Sequence, residues 1–161
     1  MKSSHKETYY QDIIQQLELT FSDSAISSSK DLYQLVVDLL SKLPNFHWTG
    51  IYLLENATNE LVLEYYVGKP TEHTRIPVGE GICGSAVTER TDKVIEDVRK
   101  EENYLACSVE TRSEIVVLLE DGDKIIGQID VDSDNVGDFD EIDSNYLRQI
   151  SKLIVNQLNK I

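Results

Sequence analysis

The chain has 161 residues, of which 40% are hydrophobic and 27% are charged, a composition typical of a soluble globular domain with one hydrophobic core. Its 29 acidic side chains outnumber its 15 basic ones, and the formal net charge is -14. Because a surface with this charge repels phosphate backbones and anionic lipids, we expect no nucleic acid and no membrane among its partners.

The N-terminal stretch, the length of the apolar runs and the number of cysteines indicate the compartment. The N-terminal stretch MKSSHKETYYQD has no apolar core, and no apolar run reaches the roughly 18 residues of a membrane span. We therefore expect a cytoplasmic protein. Cys83 and Cys107 are the two cysteines, too few for a secreted disulfide scaffold. In a reducing compartment they are either small buried hydrophobes or a working redox pair.

The hydrophobic periodicity predicts one α+β domain over residues 1–161. Residues 1–44 predict two amphipathic helices, ETYYQDIIQQLELTF and DLYQLVVDLLSKL, and Ser28 with Asp31 resembles a capping box for the second. Residues 45–139 predict the sheet and a pocket, from the strands FHWTGIYLLE, ELVLEYYVG, TRIPVG and DKVIEDV, the short helix ICGSAVTER, and the hairpin SEIVVLLEDGDKIIGQIDVDSD. Residues 140–161 predict a closing amphipathic helix, and the sheet is expected to be mostly antiparallel.

A glycine-rich stretch, RIPVGEGICGSAV, holds Gly79, Gly81 and Gly84 in the spacing G-x-G-x-x-G around Cys83. A dinucleotide-binding motif with that spacing opens a βαβ unit in a parallel sheet. Here three predicted strands lie upstream, Pro77 interrupts the preceding run, and the following helix is too short for a crossover. The motif therefore predicts a tight turn that presents Cys83 at the start of a helix, where free backbone N–H groups favour a thiolate.

Three acidic residues are candidates for one cluster. Asp130 and Asp132 leave the same face of a predicted strand because they are two residues apart. A two-residue turn at DG would point Glu114 away from them, whereas a three-residue loop EDG, with Gly122 at positive φ, would place it beside them. We predict the three-residue loop. Converging carboxyl groups keep one of their number protonated near neutral pH, while acids on a solvated strand face are the alternative interpretation.

Trp48 and Tyr52 also share a face if their strand is regular, and they form either core packing or one wall of a pocket. The three histidines are scattered, with no ligand spacing and no cysteine cluster beside them. We therefore expect no metal site.

The order of several motifs resembles that of a GAF domain: HWTGIYLLE, RIPVGEGICGSAV, EDV, YLAC, SEIVV, IIGQIDVDSD and FDEID. Within that family the chain is most similar to the free methionine-(R)-sulfoxide reductases. The resemblance implies a GAF fold, with the terminal helices on one face of the sheet and a ligand pocket on the other. It also implies thiol-dependent reduction of free L-methionine-(R)-S-oxide to L-methionine without a cofactor, recycling by a thioredoxin-like reductant, and a homodimer.

The resemblance also implies roles for individual residues. Cys107, in YLAC, would attack the sulfoxide sulfur, and Cys83, in GICG, is the candidate resolving thiol. Local charge favours the opposite order, because acidic residues flank Cys107 while Cys83 lies at a helix start. The resemblance further implies that three acids take part in catalysis and substrate binding: Glu114, Asp130 and Asp132. It implies that Trp48 and Tyr52 bind the substrate.

Two departures from the reductase pattern leave a second function open. The family commonly has a further cysteine before RIP, and GKPTEHTRIP has none. The segment SVETR after YLAC is closer to GAF proteins without known activity. The alternative is therefore a non-catalytic GAF module that binds or senses another small metabolite. A dimerising interaction module, pairing through YLRQISKLIVNQL, could coexist with either function.

Overall fold

The structure is a computed structural model that describes residues 3–105 and 108–161. The helices and strands of these residues are α1 (Ser3–Ser22), α2 (Ser29–Leu40), β1 (Trp48–Glu55), β2 (Glu60–Val67), β3 (Arg75–Pro77), α3 (Gly81–Glu89), β4 (Lys93–Ile95), β5 (Ser113–Asp121), β6 (Lys124–Ser133) and α4 (Glu141–Leu158). The strands form one six-stranded sheet in the order β3-β2-β1-β6-β5-β4, and neighbouring strands are antiparallel. The predicted α+β fold is confirmed.

The helices α1, α2 and α4 cover one face of the sheet. Their apolar stripes pack on the inward-facing residues of the central strands, among them Ile51, Ile115 and Ile129, which are fully buried. The predicted start of α2 is confirmed, because the Ser28 side chain accepts a hydrogen bond from the backbone N–H of Asp31 at 3.2 Å. Within the residues that the structure describes, no helix is long and apolar enough to cross a membrane.

A buried ion pair joins α1 to α4 within this helix layer. Lys6 Nζ lies 2.8 Å from Asp143 Oδ2, and the Tyr10 hydroxyl donates to Asp143 Oδ1 at 2.6 Å. Asp143 is fully buried and also closes the capping box that begins α4 at Asp140. The buried carboxylate is thus compensated by a cation and by hydrogen bonds.

The short helix α3 lies on the opposite face of the sheet and packs with a second apolar cluster that includes Tyr52, Val116 and Leu118. It follows the glycine-rich stretch as a tight turn, in which Gly79 and Gly81 adopt positive φ angles of 97° and 65°. The antiparallel sheet around it confirms that this motif is not a dinucleotide-binding unit.

The hairpin between β5 and β6 differs from the prediction. Asp121 pairs with Lys124, so the turn consists of Gly122 and Asp123, and the predicted three-residue loop is wrong. Gly122 has the predicted positive φ, at 61°. A two-residue turn that places positive φ on its glycine matches the right-handed twist of the strands better than a longer loop does.

A β-bulge near that turn shifts the pairing of β5 and β6 by one residue. Glu114 therefore faces the same side of the sheet that the longer loop was expected to give it. Leu119 pairs with Gly127, and Ile126 is the extra residue on β6. Beyond the bulge, Glu114 pairs with Asp132 and therefore lies on the face of both aspartates. The predicted convergence of the three acids is right, although the predicted turn is wrong.

Candidate functional site

The floor of the candidate site is the face of the sheet opposite the three long helices. Asp132 pairs with Trp48 on one side and with Glu114 on the other, which places Asp130 one side-chain layer further along. Tyr52 lies on the same face of β1. The predicted aromatic pair and the three predicted acids are therefore brought to one face of the sheet by β1 and by the hairpin of β5 and β6, which follows β1 more than fifty residues later in the chain.

The three acids are buried rather than solvated. The exposed fractions of Glu114, Asp130 and Asp132 are 3%, 0% and 1%. The alternative interpretation, in which the aspartates line a solvated strand face, is therefore wrong. Buried carboxyl groups are costly unless they are paired or protonated, and such sites are commonly functional.

Cys83 lies directly over the acids. The ligand-type atoms of Cys83, Glu114 and Asp130 are all within 4.8 Å of one another. Gln128, buried on β6 two residues before Asp130, donates from Nε2 to the backbone carbonyl of Cys83 at 3.0 Å. This hydrogen bond fastens the first turn of α3 to the sheet and holds the thiol above the carboxyl groups.

Burial and mutual repulsion shift the acid–base properties of the cluster. Burial, and then the charges of Asp130 and Asp132, raise the pKa of Glu114 well above its usual range. Burial and the charge of Asp132 likewise raise the pKa of Asp130, although hydrogen bonding with Cys83 and Glu114 opposes that shift. The raised pKa values favour the protonated form of these carboxyl groups, which suits the cluster to proton donation.

The aromatic pair forms a wall beside the acids. Trp48 stacks on Tyr66 with ring centroids 5.4 Å apart and lies 6.3 Å from the ring of Tyr52. The Tyr52 hydroxyl donates to the carbonyl oxygen of His73 at 2.8 Å. The Trp48 indole N–H is buried and has no hydrogen-bond acceptor among residues 3–105 and 108–161.

A small cavity lies between α3 and the sheet, and its lining includes Gly81, Cys83, Leu105, Glu114 and Asp130. Its volume of about 10 Å³ is room for one water molecule. Pockets that bind small organic molecules are usually at least about 300 Å³. The structure therefore shows the site in a closed form.

Leu105 lines this cavity, and Asn103, two residues earlier, binds the start of α3; the sequence did not predict either role. Asn103 Oδ1 accepts from the Gly81 N–H at 3.0 Å, and Asn103 Nδ2 donates to Ser85 Oγ at 2.7 Å. The same Nδ2 lies 3.2 Å and 3.3 Å from the carbonyl oxygens of Gly79 and Gly81. An asparagine in a polar connection gives no sequence signal for such a role, because its partners are about twenty positions away.

Cys107 lies outside the described residues. Its distance from Cys83 and its predicted attack on the sulfoxide therefore stay predictions. The expectation of no metal rested on the scattered histidines, and it did not anticipate that Cys83, Glu114 and Asp130 would meet. Among the residues that the structure describes, this trio is the one group of ligand-type side chains close enough to hold a metal ion.

Three long helices lie on one face of the antiparallel sheet, and a short helix with a small acid-lined cavity lies on the other, an arrangement typical of small α+β domains. Residues 27–158 match the GAF domain family, and the chain belongs to that family. The recognition of GAF motifs in the sequence is thereby confirmed.

Its relatives include named reductases. GAF domain-containing protein A of Dictyostelium discoideum is 40% identical over 94% of this chain and 93% of its own length. Free methionine-R-sulfoxide reductase of Escherichia coli is 38% identical over 89% of this chain and 79% of its own length. The X-ray structure of free methionine-R-sulfoxide reductase from Neisseria meningitidis in complex with its substrate superposes with a TM-score of 0.90. It is 31% identical and covers 99% of this chain and 93% of that one.

Proposed function

We propose that this protein reduces free L-methionine-(R)-S-oxide to L-methionine. One observation carries the proposal: a buried cysteine thiol lies against buried carboxyl groups, the pKa of Glu114 among them is raised, and an aromatic wall lies beside them. Sulfoxide reduction needs a thiol, a proton for the departing oxygen and a site that excludes water. The similarity to reductases of this specificity supports the same substrate.

The reaction balances with two thiols. The thiolate of Cys107 attacks the sulfoxide sulfur, the oxygen takes a proton, and methionine leaves as the cysteine becomes a sulfenic acid. The Cys83 thiol then attacks that sulfenic acid, which gives a Cys83–Cys107 disulfide and water. A thioredoxin-like dithiol reduces the disulfide and restores both thiols.

The acids divide the remaining work. We assign the transferred proton to Glu114, because burial and the charges of both Asp130 and Asp132 raise its pKa. The ionised carboxyl groups bind the substrate ammonium, and Trp48 with Tyr52 contacts its apolar end. A further negative charge beside Glu114 and Asp130 is unfavourable, which supports a resolving rather than an attacking role for Cys83.

The test is consumption of a thiol reductant by the purified protein with each epimer of free methionine sulfoxide. We expect turnover of the (R) epimer alone, and its loss in Cys107→Ser. In Cys83→Ser, one turnover followed by an accumulated sulfenic acid would place Cys83 in the resolving step. Absence of (R)-specific turnover in the reduced wild-type protein would overturn the proposal.

A non-catalytic metabolite-binding GAF module is the second candidate. The missing cysteine before RIP favours it, because one thiol of the usual reductase set is absent. In that case, thermal denaturation with a panel of small metabolites would raise the melting temperature for one of them without any turnover.

We further propose that the whole chain works as one GAF unit in the cytoplasm and forms a homodimer. Exposed apolar side chains on α1, Tyr9 at 46% and Leu19 at 59%, support pairing through the helix layer. Light scattering of the wild-type protein and of a Leu19→Glu variant would test this: we expect a dimer that the variant weakens.

A further inference from the structure

We infer that Asn103 is a positioning residue: its side chain fastens residues 103–105 over the site and thereby controls access to Cys83. The inference deepens the proposed function, since it names the contact that a substrate must open. The contact joins residues 103–105, here called the covering segment, to the glycine turn at residues 79–81.

Asn103 acts as an external cap for α3. The N-terminal N–H groups of a helix need acceptors from outside the helix. Glu80, at the N-cap of α3, makes no side-chain capping bond within the described part of the chain. Asn103 Oδ1 supplies an acceptor instead, at 3.0 Å from the Gly81 N–H. The helix start that carries Cys83 is therefore completed by a residue from the covering segment.

The donor side of the same amide makes the contact specific. A carboxamide has two N–H bonds, and those of Asn103 face three acceptors: Ser85 Oγ and the carbonyl oxygens of Gly79 and Gly81. The amide thus reaches both sides of the glycine turn. Few other side chains could donate and accept in this geometry, and a carboxylate would retain only the acceptor part.

Leu105 completes the closure two residues later. It lines the cavity together with Cys83 and the acids. Gly81 has a positive φ of 65°, and a Cβ added there would lie 2.9 Å from Leu105 Cγ. The leucine therefore packs directly on glycine backbone, and it stays there only while residues 103–105 remain fastened to the turn.

The closed cavity has room for about one water molecule, so a molecule the size of methionine sulfoxide cannot enter it. Entry requires residues 103–105 to separate from α3, and the hydrogen bonds of Asn103 oppose that separation. Weakening them should raise the open population in proportion to the stabilisation that is lost.

The test is the rate at which iodoacetamide alkylates Cys83, measured in a Cys107→Ser background in which Cys83 is the sole thiol. We expect Asn103→Ala to increase the rate about tenfold, because several hydrogen bonds of modest net value are lost together. Asn103→Asp keeps the acceptor for the Gly81 N–H and should give a smaller increase. Ser85→Ala removes one acceptor and should give the smallest, about twofold.

Two matched controls make the result decisive. Asn156→Ala changes an exposed asparagine on α4 and should leave the rate at its parental value. Val37→Ala weakens the helix-layer core without touching the closure. Parental alkylation in Asn103→Ala would overturn the inference. So would an equal acceleration in Val37→Ala, because alkylation would then follow global unfolding.

This test is independent of turnover. Rapid alkylation of Asn103→Ala together with no reduction of methionine sulfoxide by the wild-type protein would retain the closure and reject the reductase. Turnover of the (R) epimer together with unchanged alkylation in Asn103→Ala would retain the reductase and reject the closure.

Discussion

The two faces of the sheet bury acids in opposite ways. In the helix layer, Asp143 receives a cation from Lys6 and a hydrogen bond from Tyr10. In the site, the pKa of Glu114 is raised by burial and by the charges of Asp130 and Asp132, and the ligand-type atoms of Cys83, Glu114 and Asp130 lie within 4.8 Å of one another. Within the described residues, the first carboxyl group is neutralised by its partners, and the second set is crowded by groups that can themselves be negative.

The difference separates a structural acid from the acids that we propose to be catalytic. A compensated carboxylate adds specificity to helix packing at little net cost. Crowded carboxyl groups destabilise the fold when ionised, and a protein keeps them where proton transfer or a cationic substrate group requires them. Substitution of Asp143 should therefore lower stability. Substitution of Glu114 should lower activity and raise stability.

The largest expected effect is on catalysis. Glu114→Gln keeps the shape of the side chain but removes the transferable proton, so we expect kcat/KM for the (R) epimer to fall about 10²- to 10⁴-fold. Steady-state kinetics would measure it, with Glu7→Gln, an exposed acid on α1, as the matched control. Activity within a few fold of the wild type would remove Glu114 from the mechanism.

The second effect is on stability and concerns the other face. Asp143→Leu leaves Lys6 and the Tyr10 hydroxyl without their buried partner, and we expect the free energy of unfolding to fall by about 3 kcal/mol. Urea denaturation would measure it. The double variant Lys6→Met/Asp143→Leu removes the uncompensated charge and should recover part of the loss. A double variant less stable than the single one would contradict the charge argument.

The third effect is a pH dependence of stability. A carboxyl group with a raised pKa binds more protons in the folded state than in the unfolded state, so it makes the free energy of unfolding decrease as pH rises above its unfolded pKa. Glu114 and Asp130 should therefore lower stability as the pH rises above the usual carboxyl pKa range. Asp97 acts outside this window: hydrogen bonds from Arg99 lower its pKa to about 2, and its contribution is lost only in acid.

Glu114→Gln should flatten this slope and raise stability at neutral pH by about 1–3 kcal/mol. Urea denaturation at several pH values would measure both quantities. Glu7→Gln is the control, because it changes an exposed acid outside the cluster and should leave the slope in place. An unchanged slope in Glu114→Gln would show that the buried acids are not its source.

A last effect, similar in size to the third, concerns the bulge that brings the acids together. A methyl group on Gly127 would overlap the backbone oxygen of Tyr52 on the neighbouring strand. We expect Gly127→Ala to cost about 1–3 kcal/mol in stability and to lower activity further by moving β6. Gly122→Ala, at the open hairpin turn, lacks that contact and tests the cost of positive φ alone. Equal activity in the two variants would contradict a role for Gly127 in the site.

The sequence predicted those parts of the molecule that follow local rules. Helical periodicity predicted α1, α2 and α4, and the cap at Ser28 was visible as a side-chain pattern. The alternation of strand residues placed Asp130 with Asp132 and Trp48 with Tyr52 on common faces. Each of these inferences needs only neighbours within a few residues.

The parts that escaped prediction depend on contacts between distant segments. A three-residue loop, or a two-residue turn with a bulge, would each place Glu114 on the face of the aspartates, and the residues alone did not distinguish the two. The hydrogen bonds of Asn103, and that of Gln128 to the Cys83 carbonyl, join elements more than twenty residues apart in the chain, except for the contact with Ser85. Burial of the acids likewise emerges only when α3 and residues 103–105 cover the sheet.

The bulge at Ile126 also has a consequence for how the site tolerates a change in hairpin length. If every residue of β6 paired in regular register from the two-residue turn, Glu114 would face Val131 and point to the helix layer. Deletion of the Ile126 codon would instead make Ile125 and Gly127 neighbours, so Leu119 would still pair with Gly127 and Glu114 with Asp132. A GAF domain could therefore lose this residue in one in-frame deletion and keep its three acids on one face of the sheet.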